Sequence, residues 1–321
     1  MHAAFVSRIA LRRFCLFGIS AYRAPCLLLL LALIGSISIG RQVTQDQDTQ
    51  RRIVSDDFTK SRKEGAAHGS TARSRVGAKA RRTYRLVPNA APGPRALPAG
   101  NFMQLGITIW RLRSARKDDS DRRALIREKG NAAVWAAERM ASDAVLREGD
   151  FVRLSVESPR RGYLYVIDRD LSADGTTGAP MLIFPWAGAD NKLAPGRLID
   201  IPAQDDDPSY FKTSLTRHNQ VGELLTFIVT STPLDLPVSD KALTISANDL
   251  SQWEKALGGV IERYEMEGSA GELWTRKEQQ AATKNRIRQL SREDPAPQTI
   301  YREFSDNKKG MLVNLVLKYE K

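Results

Sequence analysis

The chain has 321 residues, enough for one large domain or two small ones, and a formal net charge of +12. Of its 49 Lys/Arg and 37 Asp/Glu, 17 and 5 fall in residues 1–100, so residues 101–321 hold 32 of each. A neutral folded part lacks the basic surface of a nucleic-acid binder, so the expectation is no nucleic-acid partner. Both cysteines, Cys15 and Cys26, lie near the start, which leaves everything downstream without a disulfide, a thiol nucleophile or cysteine-held zinc.

Residues 1–40 place Arg8, Arg12, Arg13 and Arg23 ahead of an apolar run from about Ala24 to Gly40, with Ser38 and Gly40 at its end. A positive flank, an apolar run and then small residues is the order of a secretory signal, and the run also reaches the lower limit for an uncleaved membrane anchor. Either way the downstream chain is expected outside the cytoplasm, in the periplasm or cell envelope, or tethered to the inner membrane. Residues 41–103 are rich in Arg, Gln, Gly, Ala and Pro and keep no apolar period. They read as a disordered basic linker.

From residue 104 to 321 the pattern is mainly β, that of an Ig-like, antiparallel β-sandwich with one or two short helices. Strands are expected at Leu105–Leu112, Phe151–Glu157, Tyr163–Asp168, Met181–Phe184, Arg197–Ile201, Glu223–Thr230, Thr299–Phe304 and Met311–Tyr319. In the second of these, Val152, Leu154 and Val156 face one way and Arg153, Ser155 and Glu157 the other. Short turn-rich links predict two hairpins, one through Ser158–Gly162 and one through Asp306–Gly310. Val313, Leu315, Leu317 and Tyr319 form the buried face of the last strand. Ser246 caps a helix whose Leu250, Trp253 and Leu257 share a face and which Gly258 and Gly259 end; Thr275 and Glu278 make a capping box for a second helix.

The blocks Leu105-Gly-Ile-Thr-Ile-Trp-Arg-Leu, Leu146-Arg-Glu-Gly-Asp150, Ser158-Pro-Arg-Arg-Gly-Tyr-Leu-Tyr-Val-Ile-Asp168, Leu182-Ile-Phe-Pro185, Pro195-Gly-Arg-Leu-Ile-Asp-Ile-Pro202 and Pro297-Gln-Thr-Ile-Tyr301 follow one another in order. In this they resemble the bacterial Domain of Unknown Function 4384 over about residues 104–319. The resemblance implies a β-sandwich that often serves as an accessory module, here in a stand-alone exported form. It implies no chemistry and no catalytic residues.

Asp168, Asp170 and Asp174, closed by Gly175, are the candidate metal ligands, since three carboxylates in seven residues can supply oxygen to calcium. The same residues also suit a hairpin turn. Trp186, Tyr210 and Phe211 are candidate surfaces for a glycan or a protein partner. Asp205-Asp206-Asp207 reads as a solvated loop. Residues 104–321 hold a single histidine, His218, and none of the nucleophile-elbow, zinc-hydrolase, P-loop or dinucleotide motifs. The expectation is a non-catalytic envelope module that binds a protein partner or acts as a scaffold. A glycan- or calcium-binding module is the first alternative, and a hydrolase using an unrecognised carboxylate pair the second.

Overall fold

A computed structural model describes residues 54–64, 83–87, 102–117, 119, 125–127, 134–237, 239, 242–282, 289–304 and 309–320. The expected signal or anchor at residues 1–40 lies outside this set; among the described residues no helix is long and apolar enough to cross a membrane. The strands are, in chain order, β1 (Tyr84–Val87), β2 (Phe102–Ser114), β3 (Leu125–Arg127), β4 (Val134–Met140), β5 (Val145–Leu146) and β6 (Phe151–Glu157). They continue as β7 (Gly162–Asp168), β8 (Asp170–Ser172), β9 (Met181–Phe184), β10 (Lys192–Leu193), β11 (Ile199–Ile201) and β12 (Phe211–Lys212). The last five are β13 (Gln220–Thr230), β14 (Leu243–Thr244), β15 (Ile261–Met266), β16 (Thr299–Phe304) and β17 (Gly310–Tyr319). Helix α1 spans residues 54–60, α2 Ala247–Leu257 and α3 Arg276–Ala281.

These strands form two sheets. In the first, β2 is flanked on one edge by β16 and then β4, and on the other by β6; β15 and β1 extend it beyond β16, β3 beyond β4, and β11 and β12 beyond β6. The second runs β14-β9-β7-β13-β17-β5, with β10 on β7 and β8 on β13. Every pairing among the described strands is antiparallel except β5 with β17. Period-2 alternation does what it predicts: Leu105, Ile107, Ile109, Val152, Leu154 and Val156 from the first sheet meet Leu164, Val166, Leu225, Phe227, Val313 and Leu315 from the second in one core.

Neither expected hairpin forms. Each link carries the chain from one sheet to the other. Both edges of β6 are already taken, by β2 and by β11 with β12, and both edges of β16 by β15 and β2, so β7 and β17 pair in the second sheet instead. The capped helices form as read: Ser246 accepts from the Asp249 N–H, and Thr275 and Glu278 complete their capping box. Helix α2 then lays Leu250 and Leu257 on the outer face of the second sheet, against Tyr165, Ile167, Ile228 and Leu312.

The outer face of the first sheet is covered as well, and this corrects the expected start of the domain. The folded domain begins well before residue 104, because 54–64 and 83–87, inside the stretch read as linker, are packed parts of it. Strand β1 pairs with β15 over its whole length, and Val54, Phe58 and Tyr84 are buried against Tyr264, Met266 and Ile300. Residues 102 and 103 begin β2, and the rest of the expected linker lies outside the described residues. The polar face of β6 is also buried. Arg153, Ser155 and Glu157 lie under the cover formed by α1, α3 and residues 289–298, each with a partner.

Those partners are mostly opposite charges. Glu157 accepts from Arg62 Nε at 2.7 Å and from a terminal nitrogen of the same guanidinium at 2.6 Å, while Arg62 also donates to the carbonyls of Ser291, Asp294 and Pro295. Arg153 donates to Asp200 at 3.3 Å, and the Ser155 hydroxyl to the same carboxylate at 2.6 Å. Arg139 pairs with Glu278 and lies 5.1 Å from the centre of the Trp110 ring. Gly106 permits the approach of the cover, since a Cβ there would stand 2.2 Å from Pro297 and 2.8 Å from Phe58.

Removing one member of a buried ion pair costs more than removing both, because the survivor is left charged and desolvated. Glu157→Gln is therefore expected to destabilise the protein by about 3–5 kcal/mol in denaturant unfolding, and the pair Arg62→Met with Glu157→Leu by clearly less. A double variant as unstable as the single one would contradict the burial of this pair.

Candidate functional site

The inward faces of the second sheet are apolar until one end of the sandwich, where each strand changes character. Along β7 the series Leu164, Val166 ends in Asp168; along β13, Val229, Phe227, Leu225 ends in Glu223; along β17, Leu315, Leu317 ends in Tyr319. Strand pairing sets Glu223 opposite Leu317 and Thr226 opposite Ile167, which brings the ends of all three strands together. There Asp168 and Glu223 line a cleft of about 180 Å³ whose apolar walls are Val152, Leu154, Ile183, Phe211, Leu225 and Leu317. Thr213 is buried in its wall and Lys212 stands exposed at its lining.

The electrostatics of this cleft are unlike those of the covered face. Neither Asp168 nor Glu223 has an ion-pair partner among the described residues, and one carboxylate oxygen of Asp168 is buried without a hydrogen bond. Burial, followed by the charges of Glu223 and Asp170, pushes the Asp168 carboxyl up to about 7. Glu223 is also raised, first by burial and then by Asp170, against an opposing effect of Tyr319. The Tyr319 hydroxyl lies close to Glu223 but outside hydrogen-bonding geometry, and burial and that carboxylate push the phenol well above its ordinary range. A carboxylate near 7 beside a second one gives a site that changes charge around neutral pH.

The three aspartates of the expected metal loop do not converge. Asp168 faces the cleft, whereas Asp170 accepts from Thr216 and Gln220, each at 3.3 Å, and stands 3.5 Å from Arg217. Asp174 is exposed at the tip of the turn, where it accepts from the N–H and the hydroxyl of Thr176 at 2.9 and 2.7 Å. With Gly175 at φ +83° this is an Asx turn. Among the described residues no three His, Cys, Asp or Glu side chains gather as metal ligands. Of the aromatic candidates, Trp186 packs edge-on against Phe184 at 5.6 Å and Tyr210 lies 4.4 Å from Phe151, so both serve packing. Phe211 alone lines the cleft. Asp206 accepts from the Ala203 N–H at 2.7 Å and stabilises a turn, and His218 is exposed.

Glu223 and Tyr319 are the members of the site that sequence reasoning did not assign. The available signal was parity, since each shares the inward face of its strand with the core residues before it. Comparison with protein-family profiles, with curated proteins and with solved structures finds no match. The resemblance to the Domain of Unknown Function 4384 therefore rests on its sequence blocks alone.

The ionisation of Asp168 is linked to folding. In the folded protein it stays neutral up to about pH 7, whereas in the unfolded chain it ionises near its ordinary value of about 3.9. Between these values the folded state holds a proton the unfolded state has lost, so the contribution to stability is fully present below about pH 4 and is lost as pH rises through 7. Asp168→Asn has no proton to lose. It is expected to exceed the parent by roughly 1–3 kcal/mol at pH 8, with the difference closing below about pH 4. A difference independent of pH would show that Asp168 is ionised in the fold.

Proposed function

We propose that this chain is a non-catalytic binding module of the cell envelope whose cleft receives a basic side chain from a protein partner. The observation that carries the reading is the Asp168–Glu223 pair, two inward-facing carboxylates in an apolar-walled cleft that have no ion-pair partner among the described residues, Lys212 standing exposed at the lining. Size decides between occupants. Pockets for whole small-molecule ligands run to about 300–1,000 Å³, and a cleft of about 180 Å³ is too small for an oligosaccharide but suits one long side chain. A lysine or arginine would lay its methylenes along Val152, Leu154 and Leu225 and bring its charged head to the two carboxylates. The arginine-flanked apolar run at the N-terminus supports an exported setting.

Hydrolysis by the carboxylate pair is the second reading, favoured by one observation, the elevation of Asp168 to about 7 that suits a general acid. It requires turnover on a glycoside or ester panel that disappears in both Asp168→Asn and Glu223→Gln.

The binding reading is tested with N-acetyl-arginine amide and its uncharged counterpart N-acetyl-norleucine amide. The cationic probe is expected to bind more tightly as pH rises from 5.5 to 8.5, because Asp168 loses the proton that competes with it. Glu223→Gln should weaken it by about tenfold or more. Equal binding of the two probes, or binding that does not change with pH, would exclude a cation-selective cleft.

A further inference from the structure

Among the described residues, arginines with buried or half-buried side chains are, with two exceptions, set against acids. Arg62 has Glu157, Arg113 has Asp119 and Glu138, Arg139 has Glu278, Arg153 has Asp200, Arg169 has Glu254 and Arg197 has Asp190. Arg302, the first exception, stacks on Phe102 with its guanidinium carbon 3.3 Å from the ring centre. The second is Arg263. It sits on β15 directly opposite Tyr301 of β16, on the face that looks toward the second sheet. Its Nε is buried without a hydrogen-bond partner, its charge acts on the neighbouring Tyr301 hydroxyl, and among the described residues it forms no ion pair with a carboxylate.

Arg263 is also a wall of a groove. Between β15–β16 on one side and β17 with the end of α2 on the other lies a space of about 450 Å³. Tyr301, Leu312, Val313 and Ile261 give it apolar surface, and Glu254 and Asn314 stand on its polar side. Asn314 is exposed and, like Leu312, belongs to the outer face of β17, where its amide oxygen accepts from the Thr226 hydroxyl at 2.8 Å. Glu254 is paired with Arg169 at 3.3 Å. The volume falls within the range of whole small-molecule sites, unlike that of the carboxylate cleft.

We infer that this groove binds a small organic carboxylate, held by the guanidinium of Arg263. A planar fork without an acid partner matches a carboxylate in geometry and in charge. The ligand supplies what the fold gives the other arginines, and the apolar wall of Tyr301, Leu312 and Val313 covers its body.

The test uses the full-length protein and two pairs of probes, glucuronate with glucose and benzoate with benzamide, read by thermal unfolding and by titration calorimetry. At least one acid is expected to raise the unfolding midpoint while its neutral counterpart does not; which acid responds tells a polyhydroxyl body from an apolar one. Arg263→Gln should lower the affinity of that acid by about tenfold or more, and Arg302→Gln should leave it unchanged. Silence of both acids, an equal response to the neutral counterparts, or full affinity in Arg263→Gln would overturn the assignment. The comparison of acid with neutral counterpart needs no variant, so it stands even where Arg263→Gln does not fold.

Discussion

Arg62, Arg139 and Arg153 lie beneath the outer surface of the first sheet, each against a carboxylate, because an ionised group taken out of water costs several kcal/mol unless something neutralises it. That constraint determines how the cover is built. A bare β6 would present Arg153, Ser155 and Glu157 to solvent as an ordinary polar face. Once covered, each needs a partner: Arg62, from the segment after α1, meets Glu157, and Asp200 of β11 meets Arg153 and Ser155, while Glu278 of α3 meets Arg139 of β4. Trp110 and Trp274 flank the guanidinium groups of Arg139 and Arg153 at 5.1 Å, adding cation–π attraction to the ion pairs. The result is a sandwich with cover on the outer face of each sheet, an apolar helix surface on the second and a layer of paired charge on the first.

At the open end of the inner core the same constraint is met by other means. Asp168 and Glu223 have no ion-pair partner among the described residues, and burial raises both carboxyls, Asp168 against the opposing charge of Arg169. Arg263 presents the opposite case, a guanidinium without an acid. Where the fold completes its own charges it gains structure; where it leaves them incomplete, beside space, it leaves a place for something else to complete them. This contrast separates the structural arginines from the residues assigned to binding.

Much of the architecture was legible because it is local. Strict alternation in Phe151–Glu157 and Met311–Tyr319 fixed the inward faces, and the caps at Ser246 and Thr275 are short-range hydrogen bonds written in four residues. What was not legible is non-local. The links after β6 and β16 have the composition of hairpin turns, but which sheet the next strand joins depends on edges occupied by distant strands. Val54, Phe58, Arg62 and Tyr84 are too sparse to show a period, and they order only because the first sheet offers Ile300, Tyr264 and Glu157 to receive them. Of the acidic loop, Asp168 was singled out for a function, but its partner is Glu223, 55 positions away in sequence and across a strand pairing, and not Asp170 or Asp174.

Central to the proposed function is that the cleft holds its two carboxylates without an ion-pair partner among the described residues. It is tested most directly by following the side-chain carboxyl carbon of Asp168 by NMR between pH 3 and 9, in the parent and in Glu223→Gln. The account predicts a titration midpoint near 7 in the parent, and a lower one, still above about 3.9, once the neighbouring charge is removed. A parent midpoint in the ordinary aspartate range, or one that Glu223→Gln leaves in place, would mean that the two carboxylates are solvated separately and that the cleft is not a cation site.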